Sequence, residues 1–101
     1  LEYKNVIGLD PGKSGGIVCL SSENVLNYYK FIPKIGNNID IRELSKIFLL
    51  SNVKDTVVLI ENVHALFGSS AGATFDFGRT CGIIEGVVST LGFSYIMVKA
   101  G

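Results

Sequence analysis

Apolar residues keep two different rhythms along this chain. Residues 3–9 are mostly apolar and stop at a single acid, Asp10. A second apolar run follows at 16–20, and the Pro-Gly-rich connection between them has room only for a hairpin. Residues 25–32, VLNYYKFI, are aromatic and β-branched and predict a third strand after a Ser-Ser-Glu-Asn turn. KIGNN then breaks the pattern. Asp40 followed by Glu43 has the spacing of a capping box, and Ile41, Leu44, Ile47 and Phe48 recur at helical spacing, which predicts a helix over about 41–50. Residues 56–61, TVVLIE, form a continuous apolar run that also ends in an acid; the Val-Val-Leu-Ile centre favours a buried strand. NVHALFGSSAGAT reads as a small-residue loop. Phe77, Cys81, Ile84, Val88 and Leu91 then make one apolar stripe, predicting a helix over about 75–91 with Gly92 as its stop. SYIMV, 94–98, is a fifth strand.

The expected order is β-β-β-α-β-α-β. The first strand connects through a helix to the fourth, and such a crossover implies parallel, right-handed pairing. The second helix and the fifth strand repeat the move. A mixed five-stranded sheet, an antiparallel meander followed by parallel strands, is the simplest α/β closure. Residues 1–101 are expected to form a single domain, with no internal repeat, low-complexity tract or linker.

Composition narrows the class. At 101 residues the chain can bury one core, and with 48% hydrophobic and 18% charged residues it is globular rather than disordered. No apolar run reaches the roughly 18 residues that span a membrane. A basic-then-apolar leader is not seen in this stretch. The chain begins at Leu1 and stops at Gly101 just after an apolar run, so an excerpt of a longer protein is expected. Cys19 and Cys81 lie inside apolar patterns without a C-x-x-C partner and are expected to be reduced core thiols. An intracellular setting fits, whether cytoplasmic, viral or organellar. The formal net charge of zero counts mildly against a nucleic-acid binder but leaves room for a local basic surface.

Asp10 and Glu61 carry the strongest chemical signal. Both end apolar strands that are expected to be parallel. If those strands are neighbours, the acids meet at one sheet edge, where ligand sites of open α/β sheets lie. Close carboxylates repel unless they share a proton or bind a cation. Oxygen ligands without a nearby His or Cys cluster suit Mg²⁺ or Mn²⁺. Two such ions about 4 Å apart promote phosphodiester hydrolysis, although that chemistry normally uses three or four carboxylates. An ordinary turn Asp before Pro-Gly, and an acid that merely reaches solvent, account for the same pattern.

Three segments together carry a family resemblance. VIGLDPGKSGGIVCL, then VVLIENVHALFG, then ATFDFGRTCGIIEGVVSTLGFSYIMV is similar to the RuvC-type Holliday junction resolvases, most of all their phage-like branch. The likeness extends over essentially the whole chain, in the family's order and spacing. It implies a ribonuclease H-like fold. It implies a homodimeric, Mg²⁺- or Mn²⁺-dependent endonuclease that nicks symmetric strands of four-way DNA junctions, in recombination and repair. By position, Asp10 matches the family's first metal-binding catalytic acid and Glu61 its second. The family's last acids lie on a helix after the fifth strand. This sequence is expected to represent the front two-thirds and not to cleave by itself.

The resemblance also marks DNA contacts. The loop after the second acid helps hold the junction. There His64 can donate to a phosphate, Phe67 can stack on or insert beside a base, and Ser69 and Ser70 can offer hydroxyls and N–H groups. Each has an ordinary alternative, from loop histidine to core aromatic. Arg79 suits phosphate through its planar fork, yet Asp76 is an available partner on the same helix. Lys13 and Ser14 can touch backbone near the scissile bond or simply form a solvated turn. Gly78, Gly82 and Gly86 each cost the helix about 1 kcal/mol relative to Ala, so the row is expected to let it approach the sheet or a partner subunit closely.

Two other readings compete. Actin-like and sugar-kinase ATP-binding proteins also place an Asp-Gly hairpin after their first strand, on a related core. They need a second domain, for which 101 residues leave no room. A non-catalytic junction binder of the same fold is the other, and downstream acids would decide against it.

Overall fold

The computed structural model describes residues 3–12, 15–62 and 70–99. Seven strands and two α-helices follow in the order β1 (Asn5–Leu9), β2 (Gly16–Ser21), β3 (Leu26–Phe31), β4 (Lys34–Ile35), β5 (Asn38–Ile39), α1 (Ile41–Phe48), β6 (Thr56–Asn62), α2 (Ala71–Leu91) and β7 (Ser94–Lys99), with a 3₁₀ turn at Val53–Asp55 before β6. Five strands form one sheet in the order β3-β2-β1-β6-β7. The β1–β2 and β2–β3 pairs are antiparallel, and β1–β6 and β6–β7 are parallel. This is the meander-then-parallel sheet that the apolar pattern predicts.

The hairpin of β4 and β5 is the addition. KIGNN does break the third strand, but it pairs with itself rather than forming an open loop, with Lys34 opposite Ile39 and Ile35 opposite Asn38. The two-residue turn has its positive φ, 62°, at Gly36 and none at Asn37, the pattern of a type II′ hairpin turn.

Helix ends follow their caps. Asp40 accepts a hydrogen bond from the Glu43 N–H at 3.1 Å, as the spacing predicts. The reciprocal half of a capping box is not made: the Asp40 N–H bonds the Pro33 carbonyl, and Glu43 faces Lys46 at 3.9 Å. At α2 the Ser70 hydroxyl accepts from the Ala73 N–H at 3.0 Å, so the helix begins at Ala71 rather than about Phe75. Its far end is a Schellman stop: Gly92 has φ 91°, its N–H bonds Ser89 and the Phe93 N–H bonds Val88. Phe93 and Val88 are both buried, completing the hydrophobic contact of that motif.

Both helices contribute to one core. Ile7, Leu9, Ile17, Cys19, Val58 and Ile60 meet Leu44, Ile47 and Phe48 of α1 and Ile84 and Val88 of α2. The Tyr95 hydroxyl ties β7 to α2 by donating to Glu85 at 2.8 Å, and that bond, with burial, raises its pKa. Both cysteines are free, Cys19 buried and Cys81 partly so; burial and then the nearby Glu85 push the Cys81 thiol up.

Strand alternation sends the other set of side chains to the opposite face. Leu26, Tyr29, Phe31, Ile96 and Val98 are exposed there. No helix among the described residues covers this face, and none is long and apolar enough to cross a membrane.

Candidate active site

β1 and β6 run side by side in register, with Leu9 opposite Ile60. Asp10 follows directly after the end of β1 and Glu61 is the next residue of β6, so the register brings both acids to the carboxyl ends of adjacent parallel strands. Their neighbours Leu9 and Ile60 point into the core. By alternation the two acids project toward the open face. They line one groove with Gly8, Gly16, Tyr29 and Lys99.

The hairpin turn sets the orientation of Asp10. Its Oδ1 accepts from the Gly12 N–H at 2.9 Å, closing an Asx turn. Its backbone N–H bonds the Gly16 carbonyl at 3.0 Å, and the Gly15 N–H bonds Gly12 at 2.8 Å. Gly15 is required by space: a β-carbon there would run into the Asp10 carbonyl oxygen and lie 2.7 Å from that of Gly12. The ordinary turn role is therefore real, and it leaves Oδ2 of an exposed side chain outside the turn's bond. Glu61 is partly buried.

This donor set is hard oxygen, which fits Mg²⁺ or Mn²⁺ better than softer metals. Among the described residues no third acid, histidine or cysteine joins the pair. Lys99 lines the groove without forming an ion pair to either acid.

Lys13, Ser14, His64, Phe67 and Ser69 lie outside the described residues. Ser70 caps α2 through its hydroxyl. Arg79 does not pair with Asp76; its Nη1 donates to Asn38 Oδ1 at 3.3 Å. The α2 glycines do not approach the sheet. A β-carbon at Gly78, Gly82 or Gly86 would meet nothing within 4 Å, and all three are exposed. The helix buries Ile84 and Val88 instead, because those apolar residues hold the face toward the core.

Sequence reasoning did not anticipate Tyr29 and Lys99 in the groove. Tyr29 sits opposite Val18 on β3, and counting alternation outward from Asp10 across the meander would have placed it on the acid face. Lys99 enters because β7 runs one residue beyond the predicted end, pairing with Asn62.

No family model matches the sequence, and no curated protein sequence matches it either. Solved structures do match. The RuvC structure of Thermus thermophilus superposes with a TM-score of 0.62 at 15% identity, over 94% of this chain and 63% of that one. T. thermophilus RuvC in complex with a Holliday junction substrate superposes with a TM-score of 0.60 at 14% identity, over 95% and 66%. The chain thus spans less than two-thirds of the length of either neighbour. Over that length its meander, crossover helices and parallel strands build the ribonuclease H-like fold seen in RuvC.

Proposed function

We propose that this chain is the front part of a metal-dependent endonuclease that resolves four-way DNA junctions by paired phosphodiester hydrolysis, acting as a homodimer. One observation carries the reading: Asp10 and Glu61 stand at the carboxyl ends of adjacent parallel strands, on the fold of a protein solved with a Holliday junction. Bound Mg²⁺ or Mn²⁺ would activate water and stabilise the leaving oxygen. Asp10 and Glu61 would hold the metal, with Asp10 fixed in place by the Gly12 N–H. The glycines at 8 and 16 keep the groove floor low beside the acids. Lys13, Ser14, His64, Phe67, Ser69, Ser70 and Arg79 are proposed DNA contacts.

Two acids are fewer than this chemistry normally uses. The remaining carboxylates are expected on a helix from chain beyond Gly101. The exposed apolar face beside the acid pair is a surface on which such a helix would pack. Paired nicks in a two-fold junction need two active sites, which a C2 dimer supplies. The exposed glycine row of α2 offers a close-approach surface for it.

Full-length protein with Mg²⁺ should nick a synthetic four-way junction in paired strands. Asp10→Asn should abolish cleavage while preserving junction binding. Cleavage that survives Asp10→Asn would reject the metal assignment. Binding without cleavage by the wild type would favour a non-catalytic junction binder, a reading kept open by the two-acid count. Monomer alone by light scattering or cross-linking would reject the dimer. A second Asp-Gly-rich hairpin in a parent chain beyond about 300 residues would instead favour the phosphate-loop alternative.

A further inference from the structure

The β4–β5 hairpin faces the first half of α2 across a second groove. Ile32 lies on its lining, and so does Gly12, the residue whose N–H holds Asp10. This groove therefore shares a turn with the acid pair. Lys34 reaches it from the hairpin and Arg79 from α2. Arg79 is anchored by Asn38 at 3.3 Å, a neutral amide. That bond fixes the fork without an ion pair and leaves most of its five N–H donors unspent. The ion pair found among the described residues is Lys46–Glu43 on α1, so neither Arg79 nor Lys34 is neutralised by one. Asp76 lines the same groove and is the opposing charge there.

The geometry points to this groove as a second DNA-backbone subsite, in which Arg79 and Lys34 hold one phosphate while Asn38 positions Arg79. The inference rests on the junction-nuclease reading and extends it to a hairpin that the sequence did not reveal. A guanidinium fork matches two phosphate oxygens, and a lysine adds a point charge. Phosphate contacts of this kind set the register of a strand rather than its sequence. A strand gripped beside the Pro11–Gly12 turn is held next to Asp10, so the subsite would place the neighbouring phosphodiester at the acids.

Junction binding by full-length protein carrying Asp10→Asn, to prevent cleavage, tests this across a salt series. Adding Lys34→Ala or Arg79→Ala should weaken binding and lower the slope of log K against log salt by about 1 for each cation removed. Arg79→Lys, which keeps the charge but loses the fork, should restore the slope but not the full affinity. Asp76→Asn should tighten binding, a gain that misfolding cannot produce. Unchanged affinity and slope in the Lys34 and Arg79 variants, with the Asp10→Asn parent still binding the junction, would overturn the subsite alone. Failure of the parent to bind any junction would instead bring down the nuclease reading, and this inference with it.

Discussion

Asp10 commits one carboxylate oxygen to structure, and the proposed metal chemistry falls to the other. Oδ1 closes the turn on the Gly12 N–H, and the second oxygen stays outside that bond on an exposed side chain. The turn pre-aims the acid, so the substitution Asp10→Asn keeps the Asx acceptor and removes the negative charge. This is why it should separate binding from cleavage. Elsewhere two buried side-chain oxygens among the described residues, on Tyr28 and Thr56, are unpaired. The Tyr28 hydroxyl is buried and has no hydrogen-bond partner among the described residues. Burial, and next the neighbouring Cys19, push its pKa up to about 12. An acid whose folded pKa is raised stays protonated in the native state while the unfolded chain ionises first. Its contribution is intact below about pH 10 and is lost as pH rises from there toward about 12. Tyr28→Phe should therefore flatten this alkaline loss in urea melts at stepped pH. At neutral pH it should leave stability unchanged or raise it by up to about 1 kcal/mol, since an orphaned hydroxyl is removed. A loss of several kcal/mol would show that the hydroxyl has a partner.

Helix α2 shows how an element reconciles opposing local signals. Its small-residue start, Ala-Gly-Ala-Thr, resembles a loop by composition, yet the Ser70 cap begins the helix a turn earlier than the apolar stripe indicates. Serine before Ala73 was the available signal, and the surrounding glycines concealed it. Along its length the glycines face outward and the Ile84–Val88 face packs on the sheet. Exposed helical glycine lowers stability without any local packing gain. Gly82→Ala should accordingly raise the melting temperature, by up to about 1 kcal/mol in stability, if the outward face is solvated. If α2 pairs with a second subunit through this row, the added methyl should instead weaken the dimer in sedimentation or light scattering. One substitution thus distinguishes the two environments.

At the scale of the whole molecule, the described residues clothe the sheet on one face. α1 and α2 cover the Ile7, Val58 and Ile60 side, while Ile96, Leu26 and Phe31 are exposed on the other. Parallel strands are ordinarily covered on both faces, so the asymmetry is a strong physical reason to expect further protein over β1, β6 and β7. Ile96→Lys measures this directly. In full-length protein whose open face is covered, a lysine there should cost about 1–3 kcal/mol in a denaturant melt. On a solvated face the change should stay within about 0.5 kcal/mol. The expected cover would also bring side chains over the edge where the acids stand.

Local patterning by itself determined the five strands of the main sheet, the presence of both helices, the Asp40 cap of α1 and the end of α2 at Gly92. Hydrophobic period and end-capping act within a few residues, so a linear reading captures them. It also placed Asp10 and Glu61 at strand ends, and the crossover rule made those strands parallel. Tertiary structure decided the matters that depend on distant partners. Register alone brought the two acids to adjacent strand ends, because it is fixed by packing between β1 and β6. The partner of Arg79 was decided by a hairpin 41 residues earlier in the chain, not by Asp76 one helical turn away. The outward turn of the glycine row followed from which face of α2 the core required. Side-chain spacing can propose a face, but burial against the rest of the molecule chooses it.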